Sequence, residues 1–189
     1  MVKTMNAIEN ILSRNSISKL GEPYPTSEQM DLVYRAALRA PDHAWLRPSE
    51  FIEITGNGLD RLSSIFEKYA IENIEDVNEQ KIIKYKNAPY RAPMVIVLIS
   101  NIKKNNRVPE IEQILSTGAA AQNMLLTLHA LNYGAIWRTG VFALNDEIGK
   151  YFNLNKNQKI LGYLYVGKPT MKPKKIPEID VEEHVSRWK

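Results

Sequence analysis

An α+β fold, or a mixed α/β layer protein, is what this sequence predicts, and three observations point there. Four apolar stretches with strand character are dispersed among six with helical spacing. Met94-Val95-Ile96-Val97-Leu98-Ile99 is a continuous apolar run rich in β-branched residues, the pattern of a strand buried on both faces. One helical stretch, Glu110 to about Asn132, is apolar nearly all round, so something must cover every side of it. The order of the strands in the sheet does not follow from these signals.

Residues 4–13 form a short amphipathic helix with Ile8, Ile11 and Leu12 on one side, leaving through the polar Ser13-Arg14-Asn15-Ser16. Glu22-Pro23-Tyr24-Pro25 is extended, because proline disfavours helix in the residue before it. Thr26 is an N-cap with Gln29 three residues on; the helix it opens buries Met30, Val33, Ala37 and Leu38 and ends before Pro41. Residues 42–48 are a loop, and Phe51-Ile52-Glu53-Ile54 alternates as a strand. Gly56-Asn57-Gly58-Leu59-Asp60-Arg61 has the outline of a dinucleotide fingerprint, but Arg61 stands where the third glycine belongs, so an Asn-Gly turn explains it better.

Helices follow over about 59–72 and 78–87, then the strand at 94–99 and a basic loop. In the long helix, Ile111, Ile114, Leu115, Ala119, Met124, Leu125, Leu128 and Leu131 share a face at three- and four-residue spacing. Gly118, Ala120, Ala121, Leu126 and Ala130 lie opposite. At about 1.5 Å per residue it spans roughly 33 Å. It is either the central helix of a large core or a core helix that also meets a second subunit; the small residues Gly118 to Ala121 suit the second. A tight turn at Tyr133-Gly134 leads into a strand at 135–140, then a short helix at 145–152 and a buried strand at 159–167 closed by Pro169. The tail, about 170–189, is rich in proline and charge and ends near an aromatic, Trp188, so it is expected to dock on the domain or on a partner. No repeat or linker divides residues 1–189, which read as one domain.

Apolar residues at 44% and charged residues at 24% are ordinary for a globular chain. No apolar run reaches the roughly 20 residues that span a bilayer, and residues 1–10 lack the apolar stretch of a secretory signal. With zero cysteines there is no disulfide, thiol nucleophile or thiolate metal site, and the expected address is cytoplasmic. The net charge of +4 comes largely from Lys103-Lys104-Asn105-Asn106-Arg107 and Lys172-Pro173-Lys174-Lys175. Both look like solvated loops. Neither interleaves aromatics as a nucleic-acid surface would, while a pocket for an anionic phosphate fits a mild positive excess.

The search for chemistry is mostly negative. No Gly-x-Ser-x-Gly elbow exists, and Ser116 lies mid-helix. His43, His129 and His184 are too scattered for a metal site, and Asp180-x-Glu182-Glu183 lies in the tail. What remains is arginine beside hydroxyls or histidine at element ends: Arg14-Asn15-Ser16, Arg39 with His43, and Trp137-Arg138-Thr139. Guanidinium forks there suit a phosphate. Each cluster taken singly has an ordinary structural explanation; their joint occurrence is the signal.

These residues carry a resemblance. Ser13-Arg14-Asn15-Ser16, Leu38-Arg39-Ala40-Pro41-Asp42-His43, Asn87-Ala88-Pro89-Tyr90-Arg91-Ala92-Pro93, Gly134-Ala135-Ile136-Trp137-Arg138-Thr139-Gly140 and Gly162-Tyr163-Leu164-Tyr165-Val166-Gly167, in that order, resemble the small nitroreductases, in particular their YdjA-like branch. The resemblance covers about residues 5–170. It implies a mixed β-sheet flanked by helices, a homodimer packed along the long central helices, and two FMN sites at the dimer interface, each drawing on both subunits.

Carried over by position, the resemblance implies that Arg14, Asn15 and Ser16 hold the ribityl-phosphate side of FMN. Arg39 and His43 contribute from the helix end and the loop after it, and Trp137, Arg138 and Thr139 border the flavin. The implied reaction takes hydride from NADH or NADPH to flavin N5, then serves a nitroaromatic, quinone or similar flat acceptor in a ping-pong cycle. No catalytic side chain is named and no metal is expected. The alternative is a flavin-storage or flavin-sensing protein with little turnover. Two positions depart from the family pattern: Asn15 replaces a usual second arginine, and Arg47-Pro48-Ser49 stands where Gln-Pro-Trp is common, with Trp45 as a substitute aromatic surface.

Overall fold

The computed structural model describes residues 6–105, 107–172 and 174–189. Residues 4 and 5 of the first expected helix, Asn106 of one basic run and Pro173 of the other lie outside them. Six α-helices are described: α1 (Ala7–Ser13), α2 (Ser27–Ala37), α3 (Asn57–Asn73), α4 (Glu79–Lys86), α5 (Glu110–Ala130) and α6 (Glu147–Tyr151). Five strands are dispersed among them: β1 (Leu20–Gly21), β2 (Ser49–Thr55), β3 (Met94–Asn101), β4 (Gly134–Arg138) and β5 (Gln158–Pro169).

β3 lies between β2 and β5, and β5 also pairs with β4 and, at its end, with β1. All these ladders are antiparallel, and an isolated parallel bridge from Ser16 to Ala135 makes the sheet mixed. β3 is the apolar run that the sequence marks as central, and Met94 to Ser100 are buried. β1 was not expected. It is two residues long and exists because Leu20 and Gly21 meet Pro169 and Lys168, a long-range pairing that no local pattern announces.

Helices cover both faces. On one, Met30, Val33 and Ala37 of α2 and Ala120, Ala121, Met124 and Leu128 of α5 pack on Ile96, Leu98, Leu164 and Val166. On the other, Leu62, Phe66 and Tyr69 of α3 and Ile148 of α6 pack on Val95, Val97 and Tyr163. Tyr163 donates its hydroxyl to the Phe142 carbonyl at 2.7 Å, and burial pushes its pKa well above the ordinary tyrosine value.

Local rules set several helix ends. Thr26 accepts from the Gln29 amide while Gln29 Oε1 accepts from the Thr26 amide, the reciprocal pair expected for α2. α2 stops at Ala37, so Leu38, expected inside, is an exposed C-cap residue. α3 begins two residues earlier than expected. Gly56, at φ 51°, makes the turn, and Asn57-Gly58 is already helical.

The inward face of α5 is rotated from the expected one. Gln113 and Thr117 are buried, whereas Ile111 and Leu115 are 58% and 64% exposed. The rotation is possible because the buried polar groups are satisfied. Gln113 accepts from the Lys103 amide at 2.8 Å and donates to the Lys103 carbonyl at 3.0 Å. Thr117 donates to the Gln113 carbonyl and accepts from Ser49. Ala120 and Ala121, placed on the far side by the sequence, are completely buried.

A bulge completes the frame. Leu98 faces Gly162 and Ile99 faces Ile160, so Leu161 is an extra residue in β5. Its carbonyl accepts from Trp137 Nε1 at 3.2 Å.

Candidate functional site

β5 spends one edge on β3 and the other on β4, which leaves the outer edge of β4 open beyond its first residues. There the Ile17 amide donates to the Ala135 carbonyl at 3.0 Å, continuing the Ser16 bridge. A strand residue points its N–H and C=O to one side, and alternate residues repeat the direction. Trp137 therefore presents its backbone groups on the same outer edge as Ala135, where no backbone partner among the described residues meets them. From Ala135 to Thr139 this edge runs about 13 Å.

An arginine stands at each end. Arg14 lines a cavity of about 180 Å³ with Asn15, His129, Tyr133 and Ala135, and its Nη1 is buried without a hydrogen-bond partner among the described residues. Arg138 lines a cleft of about 450 Å³ with Lys84, Arg91, Trp137 and Thr139, and its Nε is also buried without a partner among the described residues. The Arg138 guanidinium lies 5.7 Å from the Tyr165 ring centre. Burial pushes the Tyr165 pKa up to about 12, against the opposing pull of Arg91 and Arg138, so the phenol is neutral beneath them. Among the described residues no carboxylate lines either hollow. Buried guanidinium nitrogens without acceptors, in cavities without acids, are suited to an anion.

Asn15 is partly committed elsewhere. Its Nδ2 donates to the Lys174 carbonyl at 2.6 Å, which draws the basic tail run, read from sequence as a solvated loop, to a position beside Arg14. Ser16 is exposed and acts here through its backbone bridge. Trp137 is half-buried, with its indole N–H used on Leu161, while Thr139 is exposed at the end of the strand.

Arg39 and His43 are elsewhere in the chain. Arg39 is exposed after α2, and His43 Nδ1 lies 2.6 Å from Glu112 in the first turn of α5. Arg14 and His129 sit at the opposite end of that helix. From Glu112 to His129 it rises about 25 Å. One chain thus gathers Arg14, Asn15, Ser16, Trp137, Arg138 and Thr139 along β4 and holds Arg39 and His43 apart.

His129 is the residue that sequence reasoning passed over as core or helix surface. It lines the Arg14 cavity, and its Nε2 lies 3.0 Å from Ser13 Oγ, which donates to the Glu9 carbonyl. The available signal was its place in the last turn of the helix that feeds the Trp-Arg strand. Burial first, and then the Arg14 charge, hold its pKa below the ordinary imidazole value. The unfolded chain therefore takes up this proton at higher pH than the folded one. The contribution to stability is full above about pH 6.5 and is lost as pH falls towards the lower folded pKa. His129→Gln is expected to flatten the dependence of unfolding midpoint on pH between about 7 and 5, measured in a urea titration series.

Layers and strand order define the fold: a mixed, largely antiparallel sheet with helices on both faces. The nitroreductase family model matches residues 11–168, and the chain belongs to the nitroreductase family. It is similar to the Escherichia coli (strain K12) protein named "Putative NAD(P)H nitroreductase YdjA", 38% identical over 168 residues, 89% of this chain and 91% of that protein. The nitroreductase-like protein of Bacillus cereus superposes with a TM-score of 0.84 at 19% identity, over 100% of this chain and 98% of that one. The FMN-dependent nitroreductase NfnB of Mycobacterium smegmatis, solved with NADPH, gives a TM-score of 0.75 at 16% identity, over 97% and 98%. These two likenesses are of fold.

Proposed function

We propose that the chain is an FMN-dependent NAD(P)H oxidoreductase acting on nitroaromatic, quinone or similarly flat acceptors, as a homodimer whose two sites each draw on both subunits. The observation that carries this is the pair of orphaned arginine nitrogens, Arg14 Nη1 and Arg138 Nε, at the two ends of an unpaired strand edge. The spacing suits a cofactor with a phosphate at one end and a polar-edged ring at the other. Family membership and the similarity to a named NAD(P)H nitroreductase support the same reading.

In this reading Arg14 would hold the phosphate, with Asn15 and Ser16 beside it, and the outer backbone groups of Trp137 would be available to the polar edge of the ring. Trp137, fixed by Gly162 and the Leu161 carbonyl, sets the height of that edge. Arg138 and Thr139 lie at the far end, where positive charge favours an anionic reduced cofactor. Bound FMN supplies the hydride- and electron-carrying centre. The nicotinamide donor and the acceptor take turns at one flat surface, a ping-pong order, and the chain contributes position and electrostatics.

The partner follows from what one chain leaves open. Ile8, Ile11 and Leu12 of α1 and Ile111 and Leu115 of α5 are exposed, and α1 is tied to α5 by Asn10 Nδ2 donating to the Leu126 carbonyl at 2.9 Å. These exposed apolar side chains lie near the two ends of α5, and a two-fold axis across its middle sets one end of each α5 against the other end of its partner's. That brings Arg39 and His43 of one subunit to Arg14 of the other. The tail, with Ile176, Ile179, Val181, Val185 and Trp188 uncovered, docks on the partner. Among the described residues no helix is long and apolar enough to cross a membrane, and a reaction fed by NAD(P)H belongs in the cytoplasm.

The test is the visible spectrum of the purified protein and its bleaching by anaerobic NADPH or NADH. A colourless protein that fails to take up added FMN ends the proposal. A yellow protein that does not oxidise NAD(P)H with a nitroaromatic or quinone is the storage or sensing protein instead. Arg14→Gln is expected to weaken FMN binding about 10- to 100-fold, the loss of a charge-assisted phosphate contact, as read by fluorescence titration.

A further inference from the structure

Between α2 and β2 the chain makes a loop that is costlier than a connection needs. Ala44, Trp45 and Arg47 have φ of 57°, 57° and 53°, three non-glycine residues in the left-handed region. Several contacts hold them there. The Asp42 carboxylate accepts from the Leu46 amide at 3.2 Å and from the Arg47 amide at 2.8 Å. Ser116 donates to the Pro41 carbonyl at 2.6 Å, His43 is held by Glu112, and Ser49 donates to Thr117 at 3.2 Å. The loop is therefore fixed on α5 from both flanks.

What this fixed loop displays is an indole and a guanidinium. Trp45 is 76% exposed, and the Arg47 guanidinium lies 4.8 Å from its ring centre. One face of the indole is taken by Arg47 and the other is open. The Asp42 carboxylate nearest Arg47 is 3.9 Å away and already accepts two backbone bonds, so the Arg47 charge is only partly answered. Strain held in place to expose a tryptophan has no use in packing. A flat apolar surface next to a cation matches an aromatic that carries an anionic group.

We infer that the 42–48 loop selects the electron acceptor, with Trp45 stacking on its ring and Arg47 pairing with a carboxylate or similar anionic substituent, so that anionic nitroaromatics or quinones are preferred over neutral ones. This rests on the proposed function, in which the same loop brings His43 to the flavin site of the other subunit. Trp45 and Arg47 then stand two and four residues along the chain from a cofactor contact.

The experiment uses the flavin-loaded enzyme and two acceptors of similar size, 4-nitrobenzoate and 4-nitrobenzyl alcohol. The expected result is a higher kcat/KM for the benzoate, falling towards parity above about 0.5 M salt as an exposed charge contact is screened. Arg47→Gln should lower the benzoate-to-alcohol ratio about three- to five-fold, the size of an exposed ion pair, mainly through KM for the benzoate. Arg47→Lys should keep part of the preference, and Trp45→Leu should raise KM for both acceptors. Bleaching of the flavin by NAD(P)H serves as the separate readout. A yellow, NAD(P)H-reducible enzyme whose ratio is unmoved by Arg47→Gln, or which favours the alcohol, overturns this inference alone. A colourless protein, or one that NAD(P)H does not bleach, overturns the flavin reading and this inference with it.

Discussion

Gly162→Ala is expected to be among the most destabilising single substitutions in this chain, although it adds one methyl group. The new Cβ would lie 2.2 Å from Trp137 Nε1, 2.7 Å from Trp137 Cδ1 and 2.7 Å from the Arg138 carbonyl oxygen, at a φ of 143°. The clash is with an indole wedged between β5 and α5 and with strand backbone, so neither neighbour can swing away. Overpacking of about 1–3 kcal/mol and a strained backbone of about 1–3 kcal/mol add to a loss of roughly 2–6 kcal/mol. Against a total stability of about 5–15 kcal/mol this is a large share. The loss should appear as a lower urea midpoint, and the surviving folded protein should bind FMN more weakly because Trp137 and Arg138 have moved together. Gly118→Ala is the control. It faces the same indole from α5, but its Cβ would meet Trp137 Cη2 at 4.0 Å, so it should be neutral or gain up to about 1 kcal/mol. Equal midpoints for the two variants would show that Trp137 is not held against Gly162.

Neither Gly162 nor its bulge could be read from the sequence, and the reason applies to most of what was missed. The capping of α2 is a four-residue event between Thr26 and Gln29, and β3 is one unbroken apolar run, so both were legible. The extra residue in β5 is defined only against β3, some 60 positions away in sequence, and β1 only against Pro169. The face of α5 was misjudged for a related reason. A periodicity argument sends Gln113 outward, whereas Lys103 and Val108, on the loop that folds back before α5, satisfy it inside. Helix existence is local; which side is buried depends on partners from elsewhere in the chain.

The site divides the same way. Arg14 and Arg138 were visible as arginines beside hydroxyls at element ends, and the structure adds that each has a buried nitrogen without an acceptor. His129 was invisible because a lone histidine in a helix has too many ordinary explanations. Only the fold shows Arg14 and Ser13 beside it. Arg39 and His43 lie at the other end of α5 from the Arg14 cavity, so within one chain they do not serve it; only under the proposed homodimer would a second chain bring them there.

Converting Ile111 and Leu115 together to glutamate is therefore expected to yield a folded, colourless monomer. Both side chains are largely exposed on the single chain, at 58% and 64%, so the charges cost the monomer little. In a two-fold dimer each substitution counts twice. Fully burying a Leu or Ile contributes about 1.5–3 kcal/mol, and with 58% and 64% of these two still exposed, four such side chains represent roughly 4–7 kcal/mol of association energy. Like charges brought together would add to the loss. Each 1.4 kcal/mol is about a tenfold change in Kd, which takes a tight dimer to monomer at micromolar concentration. Light scattering after gel filtration reads the mass, and flavin absorbance reads the site. A yellow dimer would move the interface off this face of α5. A complementation experiment separates loss of the partner's residues from loss of stability. Arg14→Ala and Arg39→Ala each damage both sites of a homodimer, but a mixed dimer of the two holds one site with neither substitution and one with both. Co-expression should then restore about half of the flavin binding per mixed dimer, which happens only if Arg14 and Arg39 at one site come from different chains.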